Sequence, residues 1–109
     1  MFRFEWDPFK DRRNTQKHGV TFELASSVFY DRLAIIVFDR IVRGEPRWRA
    51  IGRAGLDKVF VVVHTVRDVR DVEIIRIISA RRASRHEQLL YVQQAFEKET
   101  YETALETRR

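Results

Sequence analysis

Residues 59–79 read VFVVVHTVRDVRDVEIIRIIS, two β-branched runs around a short charged break. Val59–Val66 carries the strongest strand signal in the chain, and Val72–Ser79 is a second strand. The break from Arg67 to Asp71 is too short for a crossover, so the two runs form an antiparallel hairpin. Alternation gives each strand two faces. Val59, Val61, Val63 and Thr65 point one way, and Phe60, Val62, His64 and Val66 the other. In the second run Glu73, Ile75, Ile77 and Ser79 oppose Ile74, Arg76 and Ile78. With the turn centred near Val69, His64 and Arg76 project from one face. A histidine and an arginine on an apolar face that no helix covers mark a cleft or a docking surface.

Working outward, Leu33–Asp39 and Trp48–Gly52 are two further strands. Turn residues separate the runs, Arg43-Gly44-Glu45-Pro46 first, then Arg53–Lys58 with Gly55 and Asp57. At the start, Phe2, Phe4 and Trp6 alternate with Arg3 and Glu5, a short strand. Asp7-Pro8 then opens a helix to about Lys17, which Gly19 ends. Thr21 caps a second short helix with Phe22, Ala25, Val28 and Phe29 on one side. Ser84-x-x-Glu87 is a capping box opening a last helix, whose inner edge is expected at Leu89, Val92 and Phe96, with Leu90 and Gln93. The order is β-α-α-β-β-β-β-α. It predicts one α+β domain over residues 1–109, an antiparallel sheet packed by helices on one face. Residues 97–109 thin in apolar side chains and read as a helical extension or tail.

The 109 residues carry a formal net charge of +5, with 17 arginines among the 21 basic residues. Arginine grips phosphate or carboxylate with a planar fork, so this balance points to nucleic acid or an acidic protein partner. A soluble basic surface would look the same in composition. There is no cysteine, hence no disulfide and no thiolate chemistry, which suits a reducing cytoplasm. No apolar run approaches the ~20 residues of a membrane helix, and the N-terminus does not resemble a signal peptide.

Five segments together, FEWDPFK (4–10), KHGVTFELASSVF (17–29), RWRAIGR (47–53), VVVHT (61–65) and RIISARRAS (76–84), resemble the BrnT toxins of BrnT–BrnA toxin–antitoxin modules. The resemblance implies a RelE-like fold and an endoribonuclease that arrests translation. It also implies a BrnA-like antitoxin with a ribbon-helix-helix domain, a 2:2 heterotetramer, and contact with operator DNA only through that antitoxin. No cofactor and no membrane are implied.

RNA cleavage without a metal uses the substrate's own 2′-hydroxyl as nucleophile. The protein moves protons and stabilises charge on the phosphorane. The sequence shows no HExxH or paired-aspartate metal motif. His64 is the first candidate for acid–base work, set against a packed strand histidine. His18, in KHG, is the second, set against a helix-terminal cap. Arg76 is too costly to bury unpaired, so it faces phosphate, a carboxylate or solvent. Arg81 and Arg82 point to opposite sides of a strand, so one meets substrate and the other solvent or an acid. These five form the candidate catalytic set. Arg47, Trp48, Arg49 and Arg53 form the candidate RNA-binding set, in which Trp48 could stack a base or sit in the core. Lys10 and Lys17 read as solvated, Glu5 and Glu73 as alternative bases, with Glu73 set against pairing to a cross-strand arginine. The alternative function is a non-catalytic basic binding module, or a degenerate toxin kept for operon regulation.

Overall fold

A computed structural model describes residues 1–55 and 58–107. Its elements are β1 (Phe2–Glu5), α1 (Pro8–His18), α2 (Phe22–Ser26), a 3₁₀ turn (Ser27–Tyr30), β2 (Ile35–Val42), β3 (Glu45–Ala54), β4 (Lys58–Val69), β5 (Val72–Arg82) and α3 (Arg85–Thr107). The α+β order expected from sequence is the order observed. Asp57, placed in the β3–β4 turn, lies outside the described residues.

Local chemistry sets the helix ends. The Asp7 carboxylate accepts from the Phe9 amide at 2.8 Å, and Gly19 closes α1 with φ +69°. Thr21 accepts from the Leu24 amide and starts α2. In the capping box, the Ser84 amide donates to Glu87 and the Glu87 amide donates back to the Ser84 hydroxyl.

The five strands run in the order β1-β5-β4-β3-β2. β2 to β5 form the expected antiparallel meander. β1 lies parallel to β5, with Phe2 opposite Glu73 and Glu5 opposite Arg76. Both tight hairpins use left-handed residues, Arg43 and Gly44 before β3, and Arg70 and Asp71 before β5. Positive φ at both central residues matches the strand twist.

The register separates His64 from Arg76. The β4–β5 turn closes at Val69 opposite Val72, so its centre falls between Arg70 and Asp71 and not at Val69. His64 therefore pairs with Ile77, and Arg76 pairs with Thr65 on the opposite face. A bulge follows at Ile78: Val63 pairs with Ser79 and Val61 with Arg81. The bulge puts Arg81, and not Arg82, on the face of Arg76. It also turns Ser79 from the face of Ile75 and Ile77, where simple alternation had it.

Helices cover parts of both faces. The first face packs Phe22, Ala25 and Val28 against Ala50, Phe60, Val62, Ile75 and Ile77. The second is covered at one end by α3, where Tyr91 packs with Ile51, Val59, Val61 and Ala83. The expectation of helices on one face thus holds for α2 but not for α3. Its inner edge also differs. Leu89, Val92 and Phe96 are 55–69% exposed, while Glu87 and Tyr91 are buried. The Arg81–Glu87 and Tyr91–Asp31 bonds fix the helix phase, and the polar anchors override the apolar spacing. Beyond Phe96, α3 continues to Thr107, and Arg32 ties it down through Glu102 at 3.1 Å.

Candidate functional site

The uncovered end of the second face gathers cations from three elements. Arg47 and Arg49 come from β3, Arg76 and Arg81 from β5, and Lys10 from α1. Arg47 and Arg49 share this face by alternation. Lys10, Arg43, Arg47 and Arg76 line a cavity of about 630 Å³ together with Val42, Glu45 and Ile78. Glu45 is its one lining carboxylate. Arg76 is exposed, and among the described residues it has no ion pair. The Nε of Arg47 is buried with no acceptor. A guanidinium half-desolvated and unpartnered is prepared for an oxyanion ligand.

The neighbouring arginines are held from inside. Arg81 donates twice to Glu87, at 2.7 and 2.9 Å, and Arg49 lies 3.6 Å from the same carboxylate and 3.5 Å from Asp39. The Arg81 bonds outweigh burial and hold the Glu87 pKa at about 2. Against an ordinary value of 4.5, this depressed pKa contributes stability fully above pH 4.5 and loses it as pH falls toward 2. That depression corresponds to on the order of 3 kcal/mol. Glu87→Gln is expected to flatten the loss of urea stability between pH 5 and 2. An acid limb identical to that of the native chain would remove Glu87 from this role.

The other candidates lie elsewhere. His64 is 1% exposed on the first face, its Nδ1 3.1 Å from the Val62 carbonyl and its ring edge-on to Phe29 at 4.7 Å. Burial lowers its pKa, so the ring is neutral at pH 7. Trp48 sits beside it, edge-on to Phe38 at 5.6 Å, and both line an apolar cavity of about 460 Å³ with Phe2, Ile36 and Val66. His18 and Arg82 meet at the far end of the first face, around a cavity of about 510 Å³ that Lys58 also lines. Arg53 lies over the Tyr91 ring at 5.7 Å. The catalytic set thus divides among three places. Only Arg76 and Arg81 share a face with Arg47 and Arg49.

Two other polar centres were not legible as a pattern. Asp31 accepts from the Leu33 and Arg53 amides and from the Tyr91 hydroxyl at 2.7 Å. Burial opposes its ionisation, but these donors hold its pKa below the usual carboxylate value. Burial and the bond to Asp31 push the Tyr91 hydroxyl up to about 12. Glu5 pairs with Arg67 at 2.7 Å, whereas Glu73 stands opposite Asp68 and makes no ion pair among the described residues.

A small α+β domain that presents unpaired guanidinium groups around an open cavity belongs with proteins that handle phosphate-bearing polymers. Residues 6–87 match the family described as the ribonuclease toxin, BrnT, of type II toxin–antitoxin systems. The chain belongs to this family. The crystal structure of the ribonuclease toxin BrnT of Brucella abortus is similar, with a TM-score of 0.57 and 26% identity, over 78% of this chain and 100% of that one. No curated protein matches the sequence. No described helix is long and apolar enough to cross a membrane.

Proposed function

We propose that the chain is a metal-independent endoribonuclease whose cleavage cavity is the one lined by Lys10, Arg47 and Arg76. The observation that carries the reading is the cavity's charge: four cations face one carboxylate, and Arg47 holds a buried donor without an acceptor. Arg47 and Arg76 bind the scissile phosphate and take up the charge of the phosphorane. Glu45 accepts the 2′-hydroxyl proton, the 2′-oxygen bonds to phosphorus, and the bond to the 5′-oxygen breaks as Lys10 protonates it. Arg49 and Arg81, fixed by Asp39 and Glu87, keep the flanking surface positive. His64, His18 and Arg82 stand outside this step, as do Trp48 and Arg53. Cleavage of RNA in the cytoplasm arrests translation, and a BrnA-like antitoxin with a ribbon-helix-helix domain neutralises the toxin in a 2:2 heterotetramer. Contact with operator DNA runs only through that antitoxin.

The test is incubation of the folded protein with RNA in EDTA. Products ending in 2′,3′-cyclic phosphate and 5′-hydroxyl are expected. RNA that is bound but left intact would overturn the enzyme in favour of a binding module. Cleavage only after a divalent ion is restored would overturn metal independence.

A further inference from the structure

We propose that single-stranded RNA leaves the cleavage cavity along α1 and β5 and ends at His18, Lys58 and Arg82, so the protein reads a track of several phosphates. The inference rests on the ribonuclease reading above and extends its substrate site.

Three cavities follow one another through shared lining residues. Lys10 and Ile78 line both the cleavage cavity and a second one of about 520 Å³, which runs past Arg13, Lys17 and Ser79. His18 lines that second cavity and also the third, with Lys58 and Arg82. Among the described residues no carboxylate lines the second or third cavity. Lys10, Arg13 and Lys17 follow helical spacing of three and four, so they form one stripe on α1. The stripe spans about 10 Å at 1.5 Å per residue.

The track cations differ from the arginines that the fold pairs with its own acids. Arg32, Arg49, Arg67 and Arg81 are each ion-paired within the fold. Lys10, Arg13, Lys17, His18, Lys58 and Arg82 are all exposed, and none has such a pair among the described residues. Between them lie neutral hydrogen-bonding groups, Gln16 and Ser79, and apolar floor from Ile78 and Phe60. Cations spaced along a groove with apolar floor suit a flexible strand whose phosphates and bases are both accessible. Lys10 and Ile78, shared with the cleavage cavity, favour the substrate over an acidic protein.

The experiment is fluorescence anisotropy with 2′-O-methyl oligonucleotides of 3 and 12 residues, which cannot undergo 2′-hydroxyl attack. Each phosphate contact on a single strand contributes about 0.7 to the slope of log K against log salt. Arg13→Ala/Lys17→Ala is expected to lower the 12-mer slope by about 1.4, with a loss of affinity of about tenfold. Lys58→Ala/Arg82→Ala is expected to do the same. The 3-mer should lose less than the 12-mer in both. A 12-mer slope unchanged in both variants, with circular dichroism showing intact folding, overturns the track. Variants that keep RNA affinity but lose binding to polyglutamate also overturn it, since the surface would then take an acidic protein. Cleavage in EDTA is scored separately, so a protein that binds along the track but cuts nothing loses the enzyme and keeps the track.

Discussion

Arg76→Ala is expected to lower RNA cleavage by about 10²–10³-fold, the scale seen when one donor to a developing oxyanion is removed. Arg76 is exposed and among the described residues forms no ion pair, so the fold should barely register its loss. A change within about 0.5 kcal/mol in urea stability is expected. The deficit should fall on kcat more than on KM, because the guanidinium meets its strongest partner only when the phosphorane forms. Arg76→Lys should recover part of the rate, since lysine restores the charge but not the fork. His64→Ala supplies the contrast. Its ring is buried on the opposite face, so its removal should cost stability through the cavity left behind while the folded fraction keeps its rate. Equal rate losses in Arg76→Ala and His64→Ala would place the chemistry between the faces and sink the cavity assignment. Full activity in Arg76→Ala would sink it outright.

Asn14→Ala is expected to be among the most destabilising single changes in the chain, at about 2–4 kcal/mol. Along β5, β1 supplies a neighbouring strand only from Glu73 to Arg76. Past that point the outer edge of β5 would be left bare. Asn14 fills the place of the missing strand. Its Nδ2 donates to the Ala80 carbonyl at 2.8 Å and to the Val20 carbonyl at 2.9 Å, and its Oδ1 accepts from the Ala80 amide at 3.0 Å. Alanine leaves the Ala80 amide and carbonyl without their partner at a buried site, and the Val20 carbonyl with only the Thr15 hydroxyl at 3.3 Å. Asn14→Asp should be no milder, because a carboxylate cannot donate to the two carbonyls. Urea denaturation of both variants measures the effect. A shift below about 1 kcal/mol in Asn14→Ala would mean that water takes over the amide's three bonds.

The strands and the caps could be read from the chain because they depend on neighbours in sequence. Asp7-Pro8, Gly19, Thr21 and the Ser84–Glu87 box act within a turn of themselves. The β-branched runs declare their period over a few residues. The phase errors came from longer reach. A turn centred one and a half residues later moved Arg76 to the other face, and the bulge at Ile78 exchanged the faces of Arg81 and Arg82. In α3 the apolar spacing of Leu89, Val92 and Phe96 suggested an inner edge, but tertiary bonds from Glu87 and Tyr91 decided the rotation. Asn14 carried no local signal, since a polar residue on a polar helix looks solvated until Ala80 arrives beside it. Lys10 was set aside for the same reason. Its partners in the cavity lie on β3 and β5, dozens of positions away. The arginine-rich composition foretold a basic site but could not say which arginines the fold pairs with its own acids.

The pairing of β1 with β5 also orders events during synthesis. Phe2 meets Glu73, so the first strand of the chain waits for the last before it can join the sheet. Such distant contacts slow folding relative to local ones. The cleavage cavity draws on Lys10, Arg47 and Arg76, and therefore cannot close until β5 has left the ribosome. A chain halted before β5 therefore has neither the partner strand of β1 nor Arg76 at that cavity.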